Sequence, residues 1–291
     1  MSQQAQDPLA ALRWLLEAGN DEPVLEQTVN RFKVAPKAAA PTKNHLPKAD
    51  TSPEIQVAEN PPIQRDSGTA RRSGPSQLAR TEDDLERAFE LAERCLSLDE
   101  LRRTLESFEG SQLRRNASKT VFADGNPNSG ILFIGEAPGR EEDRVGRPFV
   151  GRAGRLLDLM MSAIGLDRRS AYITNVLPWR PPDNRSPEAT EVAQCIPFLR
   201  RHIELVSPEI MILLGSVPLR HVLGLSEGIM KCRGRWADYR IGSKTIPVMP
   251  TLHPAYLLRQ PSHKRLAWRD FQEIDDRINF LQSCKVESTF P

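Results

Sequence analysis

The apolar positions between residues 131 and 281 fall into two alternating patterns. Longer stretches with apolar residues at helical spacing (153–165, 186–206, 216–224 and 263–281) separate or follow short stretches that are almost continuously apolar. This alternation predicts a parallel sheet whose two faces are both covered by helices. We expect Pro197 to kink the second of these helices or to divide it, because proline removes a helix hydrogen bond. The four predicted strands are ILFIG (131–135), AYITNV (171–176), IMILLG (210–215) and TIPVMPTLH (245–253).

The pattern also divides the chain into three regions. Residues 1–34 form a predicted N-terminal helical segment, with helical spacing over 8–19. Residues 35–80 are rich in proline and lack aromatic residues, which is typical of a flexible, disordered linker. Residues 81–291 form the predicted compact domain. It opens with a helix over 81–105, for which Thr81 and Asp84 provide a capping box.

Composition excludes some classes of protein. No apolar run approaches the roughly 18 residues that suggest a membrane span, and the first residues lack the basic stretch of a secretory signal. The four cysteines show no disulfide or metal-binding spacing, so we expect a reduced, cytoplasmic location such as a bacterial cytosol. A net charge of +2 gives no sign of a nucleic-acid partner, so local clusters must carry that argument.

The ends of the predicted strands carry the candidate chemistry. Ligands of parallel sheets bind beyond the carboxyl ends of the strands. GEAPG (135–139) follows the first strand, but it matches neither a phosphate-binding loop nor a dinucleotide fingerprint, and alone it is equally consistent with a plain turn. Asn175 ends the second strand and His253 the fourth, and either residue alone is more often structural than functional. Their shared position nevertheless predicts one site.

With these strand ends in view, the chain from about Phe108 to Leu281 resembles the uracil-DNA glycosylase superfamily and, within it, family 4. The resemblance implies a three-layer α/β/α fold around a central four-stranded parallel sheet. It also implies excision of uracil from DNA by cleavage of the N-glycosidic bond. The motifs that carry it are GNP (125–127), GEAPGREED (135–143), GRPFVGRAGRLL (146–157), YITNVLPWRPPDNRSP (172–187), CIPFLRRHIELVSPEI (195–210), RGRW (233–236) and HPAYLLRQP (253–261).

The resemblance implies a role for each matching residue. Phe149 would stack on a flipped uracil, and Asn175 would recognise its N3–H and O4 edge. His253 would stabilise the departing base, and either Glu136 or Glu142 would assist the attacking water, with Asp143 a weaker third candidate. The pocket would be lined by Gly135, Ala137, Pro138 and Gly139, and DNA would be contacted by Leu257, Leu258, Arg259 and Lys264.

The chain departs from family 4 at the iron–sulfur cluster, which that family typically holds through four cysteines. Phe108, Ser111 and Trp179 take three of the ligand positions, and only Cys195 is kept. We therefore expect no cluster and no metal, with apolar packing in its place.

Two other functions remain open on the sequence alone. One is a glycosylase for another deaminated base such as hypoxanthine or xanthine, and the other is a non-catalytic nucleic-acid-binding module on the same fold. Covalent relatives carry a basic, histidine-bearing insertion after the second strand, and NVLPWRPPDNRSP (175–187) has neither feature, so turnover is expected. The expected partner is uracil-containing DNA, single- or double-stranded. We also expect a monomer, whose N-terminal segment could dock a repair or replication protein.

Overall fold

The computed structural model describes residues 77–288 of the 291-residue chain. The predicted N-terminal helical segment (1–34) and most of the predicted linker (35–80) therefore lie outside the described residues. The first helix begins at Gln77, inside the predicted linker. No helix in the described range is both long enough and apolar enough to cross a membrane.

Six strands form one sheet in the order β1-β3-β2-β4-β6-β5. The four central strands are mutually parallel, as predicted. The fold belongs to the α/β class, which is also as predicted. The predicted number of four is too small, because β1 and β5 add antiparallel edges to β3 and β6. The strands are β1 (Ala123–Gly125), β2 (Ile131–Gly135), β3 (Tyr172–Asn175), β4 (Ile210–Leu214), β5 (Ala237–Ile241) and β6 (Lys244–Thr251).

Helices cover both faces of this sheet. In chain order they are α1 (Gln77–Glu93), α2 (Leu98–Ser107), α3 (Gln112–Asn116), α4 (Arg140–Val145), α5 (Arg152–Ser162), α6 (Ala189–Val206), α7 (Ser216–Leu223), α8 (Ile229–Cys232), α9 (Pro254–Arg259) and α10 (Lys264–Ser288). The prediction of one helix over 81–105 is corrected: α1 ends at Glu93, and Ser97 caps α2 by accepting a hydrogen bond from the backbone N–H of Glu100. Thr81 lies inside α1 rather than at its start.

Alternate residues of the strands contact two separate cores, because successive strand side chains point to opposite faces. Leu132 and Ile134 of β2 belong to a core that includes residues of α6, and we call this side the α6 face. Ile131 and Phe133 belong to a second core that includes residues of α5 and α10, and we call that side the α5 face. The two cores give the predicted three layers.

Pro197 does not divide α6, which continues as one helix from Ala189 to Val206. Pro197 is buried, as are Cys195 and Phe198 beside it. The burial of this apolar stretch against the α6 face offsets the hydrogen bond that the proline removes.

Candidate active site

The loops that follow β2, β3 and β6 meet at one edge of the sheet. Gly135 ends β2 and is the register partner of Asn175, which ends β3. A Cβ atom on Gly135 would lie 2.4 Å from Asn175 Oδ1 and 2.5 Å from Phe149 Cζ. The ring of His253, just beyond β6, has its centroid 5.6 Å from that of Phe149. Glycine at position 135 is therefore what lets the amide and the phenyl ring meet, and the predicted Phe149, Asn175 and His253 do come together.

Asn175 carries a buried acceptor atom. The residue is only 5% exposed, and its side-chain oxygen Oδ1 has no hydrogen-bond partner in the part of the chain that the structure describes. An unpaired buried polar atom costs about 1–3 kcal/mol. Such an atom is available to accept a hydrogen bond from a ligand, and the same amide offers N–H donors beside it.

His253 is held in one tautomer. It is the N-cap residue of α9, and its Nδ1 accepts a hydrogen bond from the backbone N–H of Ala255 at 3.1 Å. The ring proton of the neutral imidazole is therefore on Nε2. Burial, and to a smaller extent the positive charge of Arg259, together lower the pKa of His253 to about 4. At neutral pH the ring is an uncharged donor.

Phe149 is buried in an unusual backbone conformation. Its φ of 54° lies in the left-handed region, which a bulky residue rarely adopts. Glu142 binds the residues that follow: its Oε1 accepts hydrogen bonds from the backbone N–H groups of Val150 at 2.9 Å and Gly151 at 2.7 Å. Its Oε2 accepts one from Gly139 N at 3.1 Å. The Glu142 carboxylate thus connects the GEAPG turn to the Phe149 turn.

The three candidate carboxylates have different surroundings. Glu142 is engaged as described, and Oδ1 of the buried Asp143 accepts hydrogen bonds from the backbone N–H groups of Ser118 and Lys119. The half-buried Glu136 carboxylate accepts no hydrogen bond among the described residues. Burial raises the pKa of Glu136, and the positive charge of Arg259 partly offsets this rise. Of the three, Glu136 is therefore the one whose carboxylate is available to bind a ligand or a water molecule.

The remaining turn residues, Ala137, Pro138 and Gly139, connect β2 to α4, and Pro138 is buried. The backbone of this turn is tied to the chain after β3, because Leu177 N donates a hydrogen bond to Glu136 O at 3.0 Å. The turn is thus held at both ends, by Leu177 and by Glu142.

The loop around α9 corrects part of the predicted DNA contact. Leu257 is completely buried in the α5-face core, so it anchors the loop and cannot insert into DNA without unpacking. Leu258 is half-buried, and Arg259 is exposed at the end of α9. Lys264 is only 5% exposed, and burial lowers its pKa, so a phosphate contact would need its side chain to move. Helical spacing within α9 turns Leu257 inward, which the apolar pair in the sequence did not reveal.

Two of the family's cluster-ligand positions hold the buried aromatic residues Phe108 and Trp179, and the other two hold Ser111 and Cys195, which are also buried. The ring centroids of Phe108 and Phe198 are 5.2 Å apart, and Trp179 is fully buried with its indole N–H donating to Thr120 Oγ1 at 3.0 Å. Burial raises the pKa of the Cys195 thiol well above its usual value. Residues 77–288 contain no group of three or more His, Cys, Asp or Glu side chains that could hold a metal ion. One buried thiol does not fit the donor set of a four-cysteine cluster.

Sequence reasoning missed Arg168, which binds the Phe149 turn. Its guanidinium donates hydrogen bonds to the carbonyl oxygens of Pro148 and Phe149. Arg168 stands in the loop before β3, where a single basic residue carries no recognisable pattern. Arg168 is followed directly by Arg169, and nothing in the sequence distinguishes the two. In the structure Arg168 is half-buried, whereas Arg169 is exposed.

Comparisons with known proteins identify the family of the chain. The model of the "Uracil DNA glycosylase superfamily" matches residues 122–272, a range that includes Glu136, Glu142, Phe149, Asn175 and His253. A type-4 uracil-DNA glycosylase of Thermotoga maritima is 42% identical over 169 residues, covering 57% of this chain and 86% of the relative. The type-4 enzyme of Sulfurisphaera tokodaii is 38% identical over 183 residues (61% and 83%), and that of Archaeoglobus fulgidus is 36% identical over 184 residues (62% and 92%).

Proposed function

The chain belongs to the uracil-DNA glycosylase superfamily, and we propose that it is a DNA repair enzyme that hydrolyses the N-glycosidic bond of uracil in DNA. The products would be free uracil and an abasic site. The observation that carries the proposal is the unpaired, buried Asn175 Oδ1, which lies beside the Phe149 ring at the end of β3.

Base recognition would depend on Asn175 and Phe149. A uracil stacked on Phe149 would donate its N3–H to Asn175 Oδ1 and accept at O4 from the amide nitrogen. Cytosine presents the reverse order of donor and acceptor, so it would leave two buried groups unpaired. Each such mismatch costs about 1–3 kcal/mol, which is enough for rejection.

His253 would assist departure of the base. Cleavage leaves negative charge on the uracil ring, and a neutral imidazole can donate its Nε2–H to the O2 oxygen as that charge develops. The hydrogen bond from Ala255 N to Nδ1 supports this role, because it fixes the proton on the opposite nitrogen.

Glu136 is our choice for the carboxylate that orients the attacking water and stabilises the positive charge on the sugar. Its carboxylate is free, whereas that of Glu142 is engaged by three backbone N–H groups. We assign Glu142, and with it Asp143, to positioning the surrounding turns. Because burial raises the pKa of Glu136, the positive charge of Arg259 helps to keep it ionised.

DNA would be contacted by the exposed part of the α9 loop, with Leu258 near the displaced base and Arg259 near a phosphate. Leu257 anchors this loop by packing into the α5-face core. We also propose a monomer, and a location in the cytosol, whose reducing conditions fit four cysteines that are all free. A partner for the N-terminal segment remains a prediction from sequence.

The enzyme would work without the iron–sulfur cluster that the resemblance to family 4 implies. The residues at two of the ligand positions support the absence of a cluster, because Phe108 and Trp179 are buried there in the α6-face core. No step proposed above involves such a cluster.

One assay distinguishes the candidate functions. Labelled oligonucleotides carrying uracil, thymine, hypoxanthine or xanthine, in single and double strands, are incubated with the protein and cleaved by alkali at abasic sites. We expect cleavage at uracil. Cleavage only at hypoxanthine or xanthine would reassign the substrate, and no cleavage at any base would favour a binding module.

A further inference from the structure

The left-handed backbone of Phe149 is held from both sides by ionic side chains. On the C-terminal side of Phe149, Glu142 accepts hydrogen bonds from the backbone N–H groups of the next two residues, Val150 and Gly151. On the carbonyl side, Arg168 Nη1 donates to Pro148 O at 3.1 Å, and Arg168 Nη2 donates to Phe149 O. An anion therefore binds the donors of the turn and a cation binds its acceptors, which is the stronger, charge-assisted kind of hydrogen bond.

Arg168 is itself fixed in place. Its Nε donates to Asp158 Oδ1 of α5 at 2.9 Å, and its Nη1 donates to Asp124 Oδ2 of β1. The side chain is 25% exposed. The planar guanidinium can reach two carboxylates and two carbonyls at once, which a lysine ammonium cannot do. The short edge strand β1 thus supplies one of the anchors of this arginine.

The Phe149 carbonyl also lies directly against Gly154 of α5. A Cβ atom at position 154 would be 1.7 Å from Phe149 O, so only glycine permits this approach. Because the backbone conformation of Phe149 is costly, it persists only where its surroundings determine it. Its ring, placed by this backbone, contacts Gly135 and neighbours His253.

We propose that Arg168 is a positioning residue for base recognition, which holds the Phe149 carbonyl so that the phenyl ring lies against Gly135 and Asn175. The inference rests on the proposed function in that the ring is taken to stack on uracil. Arg168 does not touch the base in this proposal and acts through Phe149 alone.

The test compares Arg168→Met with Arg201→Met. Arg201 is 23% exposed and also donates to a backbone carbonyl, that of Cys95, but it lies on α6, away from the site. We expect Arg168→Met to lower kcat/KM for uracil excision by about tenfold or more, and Arg168→Lys by less, with Arg201→Met within about twofold of the parent. Activity is expressed per folded molecule. If Arg168→Met does not fold, Arg168→Lys is compared with the parent in its place.

A double-mutant cycle separates positioning from a general structural role. In a Phe149→Ala background, Arg168→Met should lower kcat/KM by less than about threefold, because the residue through which it acts is already gone. Undiminished loss in that background, or normal excision by Arg168→Met, would overturn the proposal.

A second readout does not depend on activity. 4-Fluorophenylalanine at position 149 gives a ¹⁹F resonance that reports on the surroundings of the ring. Arg168→Met should shift or broaden it, and Arg201→Met should leave it unchanged. An unchanged resonance in Arg168→Met would overturn the proposal. Failure of the parent protein to release uracil would instead contradict the proposed function.

Discussion

Two buried side-chain oxygen atoms lack a hydrogen-bond partner in the described part of the chain, and they lie in two contrasting regions. Asn175 Oδ1 lies at the carboxyl ends of the strands beside Gly135 and the Phe149 ring, and the His253 ring neighbours that phenyl ring. Ser111 Oγ is buried at the N-cap position of α3, in a stretch of chain whose Phe108 and Leu113 side chains belong to the α6-face core. Sequence resemblance makes Ser111 the counterpart of a lost cluster ligand.

An unpaired buried atom indicates a ligand only where other functional groups lie close to it. Around Asn175 there is an aromatic ring, a neutral donor and a free carboxylate. The stretch of chain that holds the buried Ser111 contributes Phe108 and Leu113 to the apolar α6-face core. We therefore interpret the first region as selected for binding and the second as selected for stability, and variants should separate the two properties.

The largest effect should come from Trp179→Ala. This residue is fully buried in the α6-face core, so its truncation should lower the free energy of unfolding by about 3–5 kcal/mol. Urea unfolding measures this change, and Trp179→Phe should lose less. Excision per folded molecule should stay within about threefold of the parent. A large loss of excision without loss of stability would break the division between the two regions.

The converse variant is Asn175→Asp. Replacing the amide by a carboxylate removes the donor to O4 and places a charge next to the base, so kcat/KM should fall by about ten- to a hundredfold, equivalent to about 1–3 kcal/mol. The same substitution at Asn279, which is exposed on α10, is the control and should change nothing. Equal activities of the two variants would remove Asn175 from base recognition.

The pH dependence of kcat should identify the working carboxylate. Burial raises the pKa of Glu136 above its usual value, so excision should fall as the pH drops through that pKa and the carboxylate is protonated. His253, whose pKa is lowered to about 4, stays neutral above that pH and should add no inflection between pH 5 and 8. In Glu136→Gln the residual activity should be flat over this range. An inflection near pH 6.5 in that variant would indicate a histidine that titrates normally.

The smallest effect should come from Ser111→Ala. Removing a buried hydroxyl that makes no hydrogen bond to any described residue should leave the free energy of unfolding unchanged or raise it by about 1 kcal/mol or less. Excision should be unaffected. A clear loss of stability, seen as a lower Tm, would mean that Ser111 has a polar partner after all.

The sequence allowed the central part of the fold to be predicted because β2, β3, β4 and β6 are nearly continuous apolar runs, and buried parallel strands require such runs. It did not allow the edges to be predicted. β1 is the three-residue stretch Ala-Asp-Gly, and β5 alternates exposed and half-buried residues, so neither carries a strong apolar signal.

The candidate site shows the same limit. Asn175 and His253 could be predicted to meet because they lie at strand ends that share one edge of the sheet, whereas Phe149 is placed with them only by the resemblance to the family. The burial of Leu257 and the engagement of Glu142 by backbone N–H groups depend on how loops fold onto one another. So does the contact of Arg168 with a carbonyl at position 149. Tertiary contacts of this kind leave no local pattern.

The central claim is that the base pocket works while apolar packing replaces the cluster on the α6 face. The most direct test measures iron content and uracil excision on one purified sample, prepared without exposure to chelators. We predict a colourless protein with far less than one iron per chain that cleaves uracil-containing DNA. About four irons per chain with a broad visible absorbance, as a bound [4Fe–4S] cluster gives, would contradict the account.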